Sequence, residues 1–477
     1  MSRLRGNPAA VLAVLSVAYF MSQLDSTVIA VAIPRIAEDL HTGLDQVVWA
    51  LSAYIFVLAV ALITAGRLGD LYGRRRIFAA GILLFTVCSA AGGLAQNPAE
   101  LIAARAVQGL GAALITPQTL ALLVEVFPAE RRGTALGIRG AAGGLAAVLG
   151  PAVGGLLVET LSWRWTFFIN VPIGMGMLVL TWLSVPEVRR GGRPRLDLLG
   201  VALVSAALFC FTFAVSQGQR FGWNAGIWVL LVASAALGAW FVVQQRRGQG
   251  NEPLVDFSVF RDRNFALVNA FSLTTALTVI GLILVLSVFF QSVLRFGAFE
   301  TGMLLVPASL LSMALDPVAG RLSDRVQGKY LLLAGLLLTL AGMLWSVAEM
   351  YHGVSWTAFL GPMCVIGIGN AFLFTPLAAV GLAGVPGEMA GAASGALVTS
   401  LQIGSVVGTA LVGTFVQSSS SPPTTGSASA AMLWLAAIGV LGTVACVAAR
   451  PNLVRAAAPP DDSPAVTSGE PVGDQVS

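Results

Sequence analysis

From Pro8 onward the chain is a succession of apolar runs, separated by short stretches that gather nearly all of its polar and charged residues. A run of roughly 18–25 residues is what an α-helix needs to cross a hydrocarbon core of about 30 Å. Fourteen such runs occur, at 10–33, 44–65, 76–95, 100–124, 134–158, 165–185, 196–216, 224–245, 265–290, 299–319, 329–349, 355–380, 389–416 and 429–448. Each is continuous, whereas the strands of a membrane barrel would be segments of about ten residues alternating apolar and polar. The pattern predicts an all-α, polytopic membrane protein.

Composition removes the competing classes. The 477 residues are 56% hydrophobic and 10% charged, with a mean hydropathy of +0.84, against about 25% charged in soluble domains. Charge placement sets an orientation, because Lys and Arg stay on the cytoplasmic side. With the N-terminus inside, Arg35, Arg164, Arg220 and Arg295 are the basic residues of the outer loops, and Arg105 is the one expected within a run. Both termini are therefore expected in the cytoplasm. The net charge of +4 then reflects topology and contact with anionic lipid, and no nucleic-acid partner is implied. Cys88, Cys210, Cys364 and Cys446 fall inside runs without a CxxC partner and read as small packing residues. The first run is long enough to span and carries no cleavage pattern, so no cleavable signal is expected.

An internal repeat organises the runs. "GRLGDLYGRRR" at 66–76 follows the second run and "GRLSDRVQGK" at 320–329 follows the tenth. "GLGAALITP" at 109–117 in the fourth run matches "GIGNAFLFTP" at 367–376 in the twelfth. Runs two and four thus correspond to ten and twelve, which leaves seven and eight as an insertion. An even insertion keeps the halves parallel, as a transporter of two six-helix bundles requires. The expected organisation is an N-terminal bundle over 1–185, two inserted helices with basic linkers over 186–264, a C-terminal bundle over 265–448, and a disordered cytoplasmic tail over 449–477. The tail is too poor in apolar residues to fold.

Several positions carry candidate chemistry. In the 66–76 stretch, Gly66, Gly69 and Gly73 allow close approach or positive φ, Asp70 can pair with an arginine or a helix N-terminus, and Arg67 and Arg74 to Arg76 are basic, the last three expected to face anionic lipid. Together with Asp324 and Arg325 of the second copy, these residues form a candidate gating latch. One residue inserted between Asp324 and Gly328 sets the second copy apart. The fifth run holds "GGLAAVLGPAVGG" at 143–155, where Gly150, Pro151, Gly154 and Gly155 suit a bent helix packed backbone to backbone, expected between the two halves.

An ionised side chain at mid-membrane costs at least about 2.5–3.5 kcal/mol, so Asp25, Arg105 and Asp316 should face a bundle interior or a wet cavity. Gln108, one turn after Arg105, can share its cavity. Asp25 has two readings: a coupling group alternately protonated and deprotonated, or a structural acceptor for Ser26, Thr27 or a neighbouring helix. Glu125, Glu159 and Glu349, at run ends, read as interfacial. The two histidines, His41 and His352, fall in outer loops, so carboxylates must carry any proton. There is no P-loop and no triad or metal-ligand spacing. No enzymatic activity, metal or cofactor is expected beyond a proton gradient. Apolar runs with few fixed polar groups suit a lipophilic cargo.

"GRLGDLYGRRR", "LIAARAVQGLGAA" and "GGLAAVLGPAVGG" resemble signature stretches of the major facilitator superfamily. With "LDSTVIAVAIP", "SWRWTFFINVPIG" and "EPLVDFSVFRDRNF", and fourteen spans, the chain is similar to the fourteen-helix drug:proton antiporters of multidrug efflux. The resemblance implies proton-coupled export of lipophilic or cationic drugs or antibiotics across the cytoplasmic membrane by alternating access. It implies a proton-coupling role for Arg105, which stands at the family's helix-four arginine, and an antiporter role for Gly150, Pro151, Gly154 and Gly155. Ala30 stands where that family usually has Asn, which bears on cargo range. Open alternatives are a dedicated exporter of one metabolite or self-made antibiotic, and a non-transporting sensor or lipid-translocation protein.

Overall fold

The structure, a computed structural model, describes residues 6–187, 197–218, 220–247, 262–296, 298–352, 356–383, 385, 389–419 and 424–448. The middle of both expected linkers and the expected tail lie outside the described residues. Among the described residues, fourteen helices are long and apolar enough to span a membrane. They are α1 (Pro8–Asp39), α2 (Leu44–Tyr72), α3 (Arg74–Leu94), α4 (Pro98–Val126), α5 (Arg132–Thr160), α6 (Trp165–Ser184), α7 (Leu198–Gln217), α8 (Ala225–Arg247), α9 (Arg263–Val293), α10 (Ala298–Ser323), α11 (Gly328–His352), α12 (Leu360–Leu382), α13 (Ala390–Ser419) and α14 (Thr425–Ala448).

Local sequence sets the helix starts. Asn7 and Asn97 accept the backbone N–H groups of Ala9 and Glu100 at 2.9 Å, each followed by a proline at the first helical position. Asp197 and Asp262 do the same for α7 and α9. Pro34 does not end α1, which runs on to Asp39; a proline in a long packed helix removes one ladder bond and is tolerated where neighbours support the bend. Asp25 therefore lies near the middle of α1. The stretch 66–76 is also helix rather than loop, and only Gly73, at φ +98°, makes the turn between α2 and α3.

Helices α1–α6 close around an apolar core that includes Leu15, Phe78 and Phe85, and α9–α14 around one that includes Phe271, Phe290 and Phe359. Packing repeats between the halves as the sequence does. Gly109 of α4 sits on the backbone of Tyr54 in α2, and Gly367 of α12 on that of Ala308 in α10. Gly111 meets Phe85 of α3, and Gly369 meets Gly335 and Thr339 of α11. The inserted pair α7 and α8 pack on each other through Leu203, Val204 and Phe241. Phe213 of α7 also reaches Trp49 and Phe56 of α2, with ring centroids 6.1 and 6.2 Å apart. Large apolar side chains such as Leu83, Val87, Val232 and Leu441 point outward, the surface that lipid would cover.

By alternation, the α2–α3, α4–α5, α10–α11 and α12–α13 connections lie on one membrane face, termed here the latch face.

Candidate functional site

Asp25 is 3% exposed and Arg105 is fully buried. Their helices, α1 and α4, bring Arg105 Nη1 to 2.5 Å from Asp25 Oδ2. Arg105 Nη1 also donates to Gln108 Oε1 at 2.8 Å, and Gln108 Nε2 donates to Asp25 Oδ1 at 2.9 Å. A third helix contributes Asn170 of α6, whose Nδ2 donates to Asp25 Oδ1 at 2.9 Å and to Ser89 Oγ at 3.0 Å. Ser26 and Thr27 spend their hydroxyls on main-chain carbonyls instead. The guanidinium of Arg105 stacks over Tyr54 at 4.3 Å and near Phe167 at 5.9 Å. Arg105 Nε and Nη2 and Asn170 Oδ1 are buried without a protein partner. A buried ion pair holds only where geometry and extra hydrogen bonds offset desolvation, and three donors on one carboxylate meet that requirement.

The sequence places Gln108 with Arg105 and sets Asp25, Arg105, Gln108 and Asp316 along one pathway. The structure brings the first three together and leaves Asp316 in the other half with Thr375. It adds Asn170, Tyr54 and Phe167, which the sequence did not single out. Asn170 and Phe167 fall in the quoted "SWRWTFFINVPIG", whose Trp163 and Arg164 both donate to Asp39 at the end of α1. Those hydrogen bonds, first that of Arg164, hold the Asp39 carboxyl below its ordinary range. The stretch thus ties α6 to α1 at the end away from the latch face and presses an amide on Asp25 at depth. Asn170→Leu is expected to destabilise the protein by about 1–3 kcal/mol, the cost of leaving a buried polar partner unmet. A thermal melt of the purified protein in detergent checks this.

The latch residues converge at the latch face. Asp70, on the last turn of α2, accepts the N–H groups of Gly391 at 3.1 Å and Ala392 at 2.8 Å, at the start of α13 in the other half. Asp324, after α10, accepts Gly133 N–H at 2.6 Å, Thr134 N–H at 2.8 Å and Thr134 Oγ1 at 2.6 Å, at the start of α5. Each carboxylate sits on the N-terminus of a helix across the halves, where free N–H groups and the helix dipole favour an anion. The inserted residue follows Asp324 and leaves its bonding intact. Gly66 meets Gly391, and Gly320 meets Gly133, backbone on backbone.

Arg74 and Arg75 do not face lipid. Arg74 pairs with Asp70 at 2.8 Å and with Glu125 at 2.9 Å, so Glu125 belongs to the latch rather than to the interface alone. Arg75 and Arg76 lie 3.7 and 3.5 Å from Glu187. Arg67 is half-buried on α2 and Arg325 is exposed after α10.

The fifth-helix motif is also placed differently. Gly150 and Gly154 pack on Thr27 and Val28 of α1, inside the N-terminal half, and Gly155 faces open space; Pro151 lies within α5. Contact with the other half is made nearer the latch face, by Gly133, Gly137, Gly140 and Gly144 against α10. The cause is rotation: positions 150 and 154 lie on a different side of the helix from 133, 137, 140 and 144. Asp316 of α10, 5% exposed, accepts Thr375 Oγ1 of α12 at 2.9 Å and lies against Gly140. Arg105 is not the only arginine within a run: Arg139 falls in the fifth, 134–158. It lies inside α5, 9% exposed, with Nε donating to Thr119 Oγ1 at 3.0 Å and its guanidinium 3.6 Å over the Tyr19 ring.

A family model described as Major Facilitator Superfamily matches residues 15–409. The Multidrug resistance protein Stp of Mycobacterium tuberculosis (strain CDC 1551 / Oshkosh) is 35% identical over 396 residues, covering 83% of this chain and 73% of that protein. The Tetracenomycin C resistance and export protein of Streptomyces glaucescens is 34% identical over 420 residues, covering 87% and 77%. Among solved structures, the human organic anion transporter MFSD10 (TETRAN) aligns with a TM-score of 0.67 over 92% of this chain and 99% of that one, at 14% identity. That last likeness is of fold alone.

Proposed function

The chain belongs to the major facilitator superfamily, and from that membership we propose that it exports lipophilic drugs or antibiotics across the cytoplasmic membrane in exchange for protons, by alternating access. The observation that carries the reading is the buried Asp25–Arg105 pair inside a bundle whose halves are joined at one face by two carboxylate latches. Protonating Asp25 cancels its charge and weakens its hold on Arg105, so the free energy of the α1–α4–α6 packing changes with each proton. In this reading the latch face is cytoplasmic, as are both termini, and the conformation is closed to the cytoplasm. Arg105, Gln108 and Asn170 keep the Asp25 charge tolerable when the proton has left. Asp316 is a second carboxyl open to protonation, in the other half. Lipids surround the outer faces, and the proton gradient takes the place of a cofactor.

A dedicated exporter of one compound is the second reading, favoured by 34% identity to a protein named for tetracenomycin C resistance and export. Ethidium efflux from cells expressing the chain, with and without a protonophore, tests the first reading. Efflux is expected to stop when the gradient is collapsed; efflux indifferent to the gradient would sink proton coupling. Protection against one compound only, among many, would select the dedicated exporter.

A further inference from the structure

Arg139 is a cation that neither the Asp25 network nor the latches use. At membrane depth an ionised side chain is tolerated where opposite charge, hydrogen bonds or water compensate it. Arg139 is 9% exposed, and among the described residues no carboxylate pairs with it. Thr119 Oγ1 takes its Nε at 3.0 Å and the Tyr19 ring covers one face of its guanidinium at 3.6 Å. The Tyr19 hydroxyl also shares a hydrogen bond with the guanidinium, and among the described residues no anion is paired with its remaining N–H groups. The in-span acids are engaged elsewhere: Asp25 receives Arg105, Gln108 and Asn170, and Asp316 receives Thr375. Tyr19 and Thr119 belong to α1 and α4, the helices that carry Asp25 and Arg105, but lie about 9 and 21 Å along them from those residues, so Arg139 lies on the latch-face side of the coupling pair.

We propose that Arg139, backed by Tyr19 and Thr119, is a recognition site for a planar aromatic anion: a carboxylate, sulfonate or phenolate carried on a fused ring system. A guanidinium presents a planar fork of N–H donors that matches two anionic oxygens and a flat face that stacks on a ring. Tyr19 takes one face and orients the fork, and the cargo ring takes the other. This assignment rests on the exporter reading, since the occupant is the cargo, and it adds an acidic cargo to the cationic dyes that reading already covers. With the cell interior negative, export of an anion runs down the membrane potential, whereas export of a cation runs against it.

The test uses two xanthene dyes of matched shape and opposite charge, fluorescein and rhodamine 123, with the purified full-length protein in lipid nanodiscs. Binding is read by fluorescence anisotropy. Wild type is expected to bind fluorescein more tightly than rhodamine 123. Arg139→Gln is expected to lose about tenfold or more in fluorescein affinity, as when the donor of a charge-assisted contact is removed, with rhodamine 123 unchanged or tighter. Arg139→Lys, which keeps the charge but not the planar fork, is expected to fall between, and it decides the matter if the Gln variant does not fold. A wild type that prefers rhodamine 123, or an Arg139→Gln variant that weakens both dyes equally, overturns the proposal. Binding is independent of turnover: fluorescein bound at Arg139 but never exported would count against the exporter reading and leave the anion site standing.

Discussion

Asp25→Asn is expected to cut gradient-driven dye efflux by about 5–150-fold, the range spanned by coupling free energies of about 1–3 kcal/mol, while the protein still inserts and folds. The amide keeps the shape and one acceptor oxygen, so Gln108 and Asn170 retain a partner, but it cannot take or release a proton. It also leaves Arg105, fully buried, beside a neutral group. Breaking a buried pair by removing one charge typically costs about 3–5 kcal/mol, and the retained acceptor keeps this variant at the lower end. The measurement is dye movement in inverted vesicles under an imposed pH gradient, alongside dye-for-dye exchange without a gradient. Exchange needs no net proton transfer and is expected to survive. Gradient-driven efflux at the wild-type rate would sink the coupling role of Asp25.

The second large effect is expected from the paired latch variant Asp70→Asn with Asp324→Asn. Each carboxylate closes on a helix N-terminus of the opposite half, Asp324 with three bonds of 2.6–2.8 Å and Asp70 with two of 2.8–3.1 Å. Hydrogen bonds to charged groups contribute about 1.5–3 kcal/mol net. Either single change should therefore shift the balance between conformations by about one to two powers of ten. The latches act on one equilibrium from two sites, so the double change should come near the sum and favour opening at the latch face. Distances between spin labels on the latch-face ends of α5 and α10 report it. The expected result is a new long-distance population, small in each single variant and dominant in the double. An unaltered short distance in the double variant would show that the glycine contacts alone hold this face shut.

Much of this architecture was legible in the chain. Fourteen helices follow from run length, because a backbone in lipid must satisfy its own hydrogen bonds within a helix. The repeated glycines at 109 and 367 point to equivalent packing in the two halves, because a missing Cβ in a helix usually marks a close neighbour. Asp25 and Arg105 stood out because charge at membrane depth is costly. Other features had no such signal. Asn170 is one small amide in an apolar run, and nothing local says that it reaches Asp25. Arg74 and Arg75 read as lipid-facing because three adjacent arginines look topogenic; their burial depends on Asp70, Glu125 and Glu187 arriving from three different segments. Gly150 and Gly154 read as an interface between the halves, but the helix they meet is α1 of their own half.

By itself, then, the sequence determined how many helices cross, where they start, that they repeat, and which charges must be sheltered. These are properties of one segment against solvent or lipid, and periodicity and transfer cost express them directly. The tertiary structure alone decided which helix each face meets: that Asp25 is held by Arg105, Gln108 and Asn170 together, that Asp324 latches despite the inserted residue, and that Arg139 lies inside. Helical periodicity says which residues share a face, while the rotation of each helix about its axis is chosen by packing against several neighbours at once.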